Sequence, residues 1–112
     1  MKYRHYAPDA KCLLVYSEDN SKLIEKINEI ANQYKNPIII TQSKNVKKLE
    51  QYRVIDIGKN LEEMSKNIFT TLRKVDKYNP DIVIIEGVEK KEIGLAIMNR
   101  LIRACEYNYI EI

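Results

Sequence analysis

The sequence predicts an α/β fold, a three-layer α/β/α sandwich on a mainly parallel sheet of four or five strands, and two patterns carry that prediction. Short apolar runs, clearest at Cys12–Tyr16, Ile38–Thr41 and Asp81–Gly87, lack the in-out alternation of a strand with one wet face, so both faces should be covered. Amphipathic stretches follow them, with apolar residues three and four apart, the spacing of a helix laid on a sheet. Strand-helix-strand succession with right-handed crossovers gives a doubly wound, Rossmann-like arrangement.

In chain order, Cys12–Tyr16 reads as a buried strand, and Ser17, Glu18, Asp19, Asn20 and Ser21 after it supply turn and helix-cap chemistry. The helix that follows shows one apolar face, Leu23, Ile27, Ile30 and Tyr34, and Asn36-Pro37 ends it. Ile38–Thr41 is a second, β-branched strand, Ser43–Gln51 a short polar helix, and Val54–Gly58 a weaker third strand. Asn60 caps the longest helix, with Leu61, Met64, Ile68, Leu72 and Val75 inward and Asn79-Pro80 as its stop. Asp81–Gly87 is the clearest strand, bounded by Pro80 before it. The last helix is expected from about Gly94 to Tyr107, with Ile97, Leu101, Ala104 and Cys105 inward, and Tyr109–Ile112 as a short edge strand.

The chain has 112 residues, enough for one core without disulfide or metal staples. Residues 1–11 are read as a leader and 12–112 as a single domain. Charged residues at 31% against hydrophobic ones at 45% place it among globular rather than disordered chains. The net charge of +3 is mild, with Lys and Glu interleaved along the predicted helices, which argues against a dedicated nucleic-acid binder. Cys12 and Cys105 lie on apolar faces outside any metal-ligand spacing and read as buried thiols of a reducing compartment. The leader lacks the apolar core of a signal peptide and the apolar runs are strand-sized, so the expected location is the cytoplasm, with no membrane contact.

The three glycines, Gly58, Gly87 and Gly94, form no phosphate-cradling motif. In such a sheet a ligand would sit beyond the carboxyl ends of the strands. That rim carries Ser17, Glu18, Asp19, Asn20, Thr41, Asp56, Glu86 and Gly87, facing helix starts at Ser21 and Gly94. The candidate ligand crevice is Ser17, Asn20, Glu86, Gly87 and Gly94, where a helix start beside Lys90 and Lys91 would favour an anion; the competing reading is capping and close packing. His5 has no carboxylate to orient it and no second histidine for a metal, so no catalytic residue, metal or cofactor is assigned.

Three stretches stand apart: Met1-Lys2-Tyr3-Arg4-His5-Tyr6-Ala7-Pro8, then Ile68–Asp76, then Gly94–Leu101. In that order they resemble the interdomain linker and two helices of the C-terminal domain of the two-domain threonylcarbamoyl-AMP synthases. In that family a YrdC-type catalytic domain condenses threonine, bicarbonate and ATP into threonylcarbamoyl-AMP and pyrophosphate, for the modification of adenosine next to the anticodon in tRNA. The second domain is Rossmann-like, and the linker folds back over the catalytic pocket. The resemblance implies that Tyr3, Arg4, His5 and Tyr6 form an active-site lid. Leu72, Arg73 and Asp76 match the family's Leu-Arg-x-x-Asp helix, and Gly94–Leu101 its Gly-Leu-Gly-x-Ala-Ile-x-x-Arg-Leu segment, with only one of the two glycines kept, Gly94 between Ile93 and Leu95.

The catalytic domain's Lys-x-Arg and Ser-x-Asn elements do not occur. The expectation is an accessory module that does not catalyse alone, acting as a domain or subunit of the synthase, either as a stand-alone chain or as an excised domain. It would dock on a YrdC-type catalytic domain of a separate chain, with ATP or AMP reached through that partner. The alternative is an independent small-ligand or nucleotide-binding α/β protein; a weaker third reading, a tRNA-contacting subunit, rests on the pI of about 8.8, although the mild charge argues against direct tRNA binding.

Overall fold

A computed structural model describes residues 8–112. The leader residues Tyr3, Arg4, His5 and Tyr6 lie outside the described residues. The order is β1 (Cys12–Tyr16), α1 (Asn20–Ala31), β2 (Pro37–Thr41), a 3₁₀ segment (Ser43–Leu49), β3 (Arg53–Asp56), α2 (Leu61–Lys74), a 3₁₀ turn (Val75–Tyr78), β4 (Ile82–Glu86), α3 (Ile93–Ala104) and β5 (Tyr109–Glu111). The five strands form one sheet in the order β3-β2-β4-β1-β5, every pairing parallel. Every residue of β2 and β4 is buried. Full burial of an aliphatic side chain stabilises by roughly 1.5–3 kcal/mol, so these two strands carry much of the core.

Alternate residues of each strand serve opposite faces. Leu14, Ile38, Ile40, Val83 and Ile85 pack with Met64, Ile68 and Leu72 of α2 and Ile97, Met98 and Leu101 of α3. Val15, Ile39, Ile82 and Ile84 pack with Leu23, Ile27, Ile30 and Ala31 of α1 and with Leu49. The result is three layers, with α1 and the first 3₁₀ segment on one face and α2 and α3 on the other.

Local chemistry sets the boundaries. Asp19 caps α1, its Oδ1 accepting the backbone N–H of Ser21 at 2.9 Å and of Lys22 at 3.3 Å. Asn60 caps α2 by accepting the Glu63 N–H at 2.9 Å, and Asn79, left-handed at φ 54°, turns the chain toward β4. Some elements differ from expectation. Ser43–Leu49 winds as 3₁₀ rather than α, because only Asn45 and Leu49 point inward and no wide apolar stripe rewards an α turn. The end of α3 falls at Ala104 instead of Tyr107, since Glu106 and Tyr107 adopt φ of 54° and 66° to swing the chain into β5. The start of α3 is Ile93, and β3 is displaced to Arg53–Asp56.

This topology fixes where a crevice can form. The connection after β1 passes to the α1 face and that after β4 to the opposite face, yet β1 and β4 are neighbours. Their loops diverge beyond the carboxyl ends of the two strands, the switch point at which open parallel sheets receive ligands.

Candidate functional site

At that switch point lies a cleft of about 230 Å³ bordered by Tyr16, Ser17, Asn20, Gln42, Glu86 and Gly87, with Glu18, Lys44 and Glu89 at its mouth. Four of the five residues expected to line a crevice, Ser17, Asn20, Glu86 and Gly87, therefore meet in space. Gly94 lies apart from them, under the loop after β4. A Cβ there would overlap the carbonyl oxygen of Glu89 and touch Val88, so the glycine permits close packing of loop on helix. The first N–H groups of α3 are engaged as well: Gly94 N–H bonds the Lys91 carbonyl at 3.0 Å and Leu95 N–H that of Glu92 at 3.0 Å.

Glu86 is the polar centre of the cleft floor and is only 2% exposed. Its Oε1 accepts the Thr41 hydroxyl, the Gln42 backbone N–H at 3.0 Å and the Asn45 side-chain amide at 3.1 Å. Oε2 accepts the Gln42 side-chain amide at 3.1 Å. Asn45 also exchanges amide hydrogen bonds with Asn20, at 2.9 and 3.1 Å. The network thus ties the end of β4 to the end of β2 and the start of α1. Ser17 Oγ accepts the Asp19 N–H at 3.1 Å, and Asp56 Oδ1 accepts the Ser43 hydroxyl at 2.7 Å and the Gly58 N–H at 2.9 Å. Among the described residues no buried side-chain nitrogen or oxygen lacks a partner. The rim groups are spent on holding loops to strands.

The mouth sets Glu18 and Glu89 against Lys44. The Tyr16 phenol is held above its ordinary pKa first by burial, then by the carboxylates of Glu89, Glu18 and Glu111.

A second constellation sits at the opposite, amino end of the sheet, where residues 8–11 lead into β1. Both oxygens of Asp76 accept the Asp9 backbone N–H, at 3.0 and 3.1 Å. Asp76 thereby clamps the entering chain to the end of α2, a role its spacing from Arg73 did not disclose. Gln42 and Asn45 were likewise missing from the sequence-derived rim, since both stand in an ordinary polar segment. Arg100 stacks on Phe69 at 4.0 Å, joining α3 to α2. Among the described residues no group of three or more His, Cys, Asp or Glu is placed to hold a metal, and no helix is long and apolar enough to cross a membrane.

Comparison with known proteins adds a family. The profile of the family described as "Threonylcarbamoyl-AMP synthase, C-terminal domain" matches residues 1–105. The chain is 36% identical over 117 aligned residues to the threonylcarbamoyl-AMP synthase of Pyrococcus abyssi, a match covering all of this chain and 33% of that protein. It thus spans about a third of the length of this relative. In structure it resembles Pyrococcus abyssi Sua5 crystallised with L-threonine, with a TM-score of 0.78 over 100% of this chain and 33% of that one. It also resembles the isolated C-terminal Sua5 domain from Pyrococcus horikoshii, with 33% identity and a TM-score of 0.66 over 95% and 100% of the two chains.

Proposed function

Because the chain belongs to the family of threonylcarbamoyl-AMP synthase C-terminal domains, we propose that it is the accessory, non-catalytic part of such a synthase in tRNA threonylcarbamoyladenosine modification. It docks on a YrdC-type catalytic domain and supplies residues 1–7 as a lid over the catalytic pocket, with Tyr3, Arg4, His5 and Tyr6 as the covering groups. The observation that supports this most is the Asp76 clamp on Asp9. It holds the root of the leader at a defined point of the domain, as a lid hinge requires. The family match over residues 1–105 takes in the leader.

Geometry constrains the docking. Seven residues extend at most about 25 Å, so the catalytic pocket must come within that distance of Pro8. That reach starts at the amino end of the sheet, where Asp76 holds Asp9. The buried polar groups of the cleft floor are all spent within the domain, which favours this reading over an independent nucleotide-binding protein, whose site would need free donors for phosphate there. Mixing the chain with a catalytic domain lacking linker and C-terminal domain tests the proposal. Pyrophosphate release from ATP, threonine and bicarbonate should rise saturably with added chain, and the chain alone should release none.

A further inference from the structure

Cys12 opens β1, and Cys105 is the residue after α3, which runs back to the amino edge of the sheet. The two are 93 positions apart in sequence, yet their Sγ atoms stand 2.9 Å apart. A bonded pair is at about 2.05 Å, so closure needs a sulfur displacement smaller than a bond length. Both residues are free thiols, 5% and 1% exposed, and both border a cleft of about 310 Å³ shared with Pro8, Asp9, Lys11 and Glu106. That cleft is the approach a small neutral oxidant would take.

We propose that Cys12 and Cys105 form an oxidisable dithiol, closed to an intramolecular disulfide by a hydroperoxide. One sulfur, as thiolate, attacks the O–O bond of hydrogen peroxide, giving a sulfenic acid and hydroxide, which takes up the proton the thiol released to become water. The second sulfur attacks the sulfenic sulfur, the S–S bond forms, and the S–O bond breaks with loss of a second water. In sum, two thiols and one peroxide become one disulfide and two waters. The hydrogen bond to Cys105, then burial, keeps the Cys12 thiol well above its ordinary pKa, so its thiolate is scarce near neutrality and closure quickens as pH rises. The bridge ties the first strand to the last helix where residues 8–11 enter the domain.

The test treats the whole chain with hydrogen peroxide, blocks remaining thiols with N-ethylmaleimide under denaturing conditions, and measures intact mass and melting. The oxidised chain should be lighter by two hydrogens, take no maleimide, and revert with dithiothreitol. Closing a loop this long should raise the melting midpoint by about 10 °C or more over the reduced chain. Cys105→Ala should lose both the mass change and the rise, with Cys12→Ala as the second variant should the first fail to fold. Two maleimide adducts after peroxide, or oxygen added to the sulfurs without loss of two hydrogens, would overturn the proposal on the parent chain alone. A midpoint rise retained in either variant would overturn it too.

Discussion

Replacing Glu86 tests whether the floor of the carboxyl-end cleft is a brace or a reserve of chemistry. In Glu86→Ala the Thr41 hydroxyl and the Asn45 amide, both in fully buried residues, lose their shared acceptor, and the Gln42 amides lose theirs nearer the surface. A buried donor left unpaired costs roughly 1–3 kcal/mol. Two such donors, discounted for partial rearrangement of Asn45 toward Asn20, give a loss of about 3–4 kcal/mol, a large share of the roughly 5–15 kcal/mol of an ordinary domain. Glu86→Gln behaves differently. Its oxygen can keep the three bonds at the Oε1 position, and only its NH₂ opposes the Gln42 amide, which is partly exposed and free to turn over. The cost there should be about 1 kcal/mol. Urea unfolding followed by circular dichroism measures both, with the slope against urea unchanged. An Ala variant within about 1 kcal/mol of the parent would refute the brace and show that the network is replaceable by water.

Asp76→Ala removes only exposed hydrogen bonds and should cost about 1 kcal/mol or less in stability, yet speed amide exchange at Asp9 and lower stimulation of the catalytic domain well beyond what stability accounts for. Gly94→Ala forces a Cβ onto the Glu89 carbonyl and should destabilise by about 1–3 kcal/mol, read from the urea midpoint. Burial first, then the 2.7 Å hydrogen bond to Glu111 and the charge of that carboxylate, holds the Tyr109 phenol above its ordinary pKa. A group raised in the folded state contributes stability that is intact below the unfolded pKa, about 10, and is lost as pH climbs through the folded value. Melting curves between about pH 9 and pH 11 should therefore fall less steeply for Tyr109→Phe than for the parent.

Much of the layer structure could be read directly, because β1, β2 and β4 are continuous apolar runs, Asp19 and Asn60 cap helices with their side chains, and Asn79 takes a left-handed turn. The strand order could not. Parallel pairing leaves no local trace, so nothing in the sequence placed β4 between β1 and β2, and without that order Thr41 and Asn45 have no reason to converge on Glu86. The same blindness hid the cysteines: their spacing suggests two unrelated core thiols, whereas α3 returns one to the other. At Gly94 the sequence left an anion site open beside the favoured close packing, and the position of the Glu89 carbonyl decides for packing. The crevice residues Ser17, Asn20, Glu86 and Gly87 were legible because a rim follows from strand ends alone.

The central claim, that this domain works through its leader on a catalytic partner, is tested most directly by comparing the parent with the Tyr3→Ala, Arg4→Ala double variant. Both are added to a linker-less YrdC-type catalytic domain supplied with ATP, threonine and bicarbonate. The account predicts saturable stimulation of pyrophosphate release by the parent and its loss in the variant, with the variant's stability within about 0.5 kcal/mol of the parent's. Equal stimulation by both, or none by the parent at saturating concentration, would contradict it.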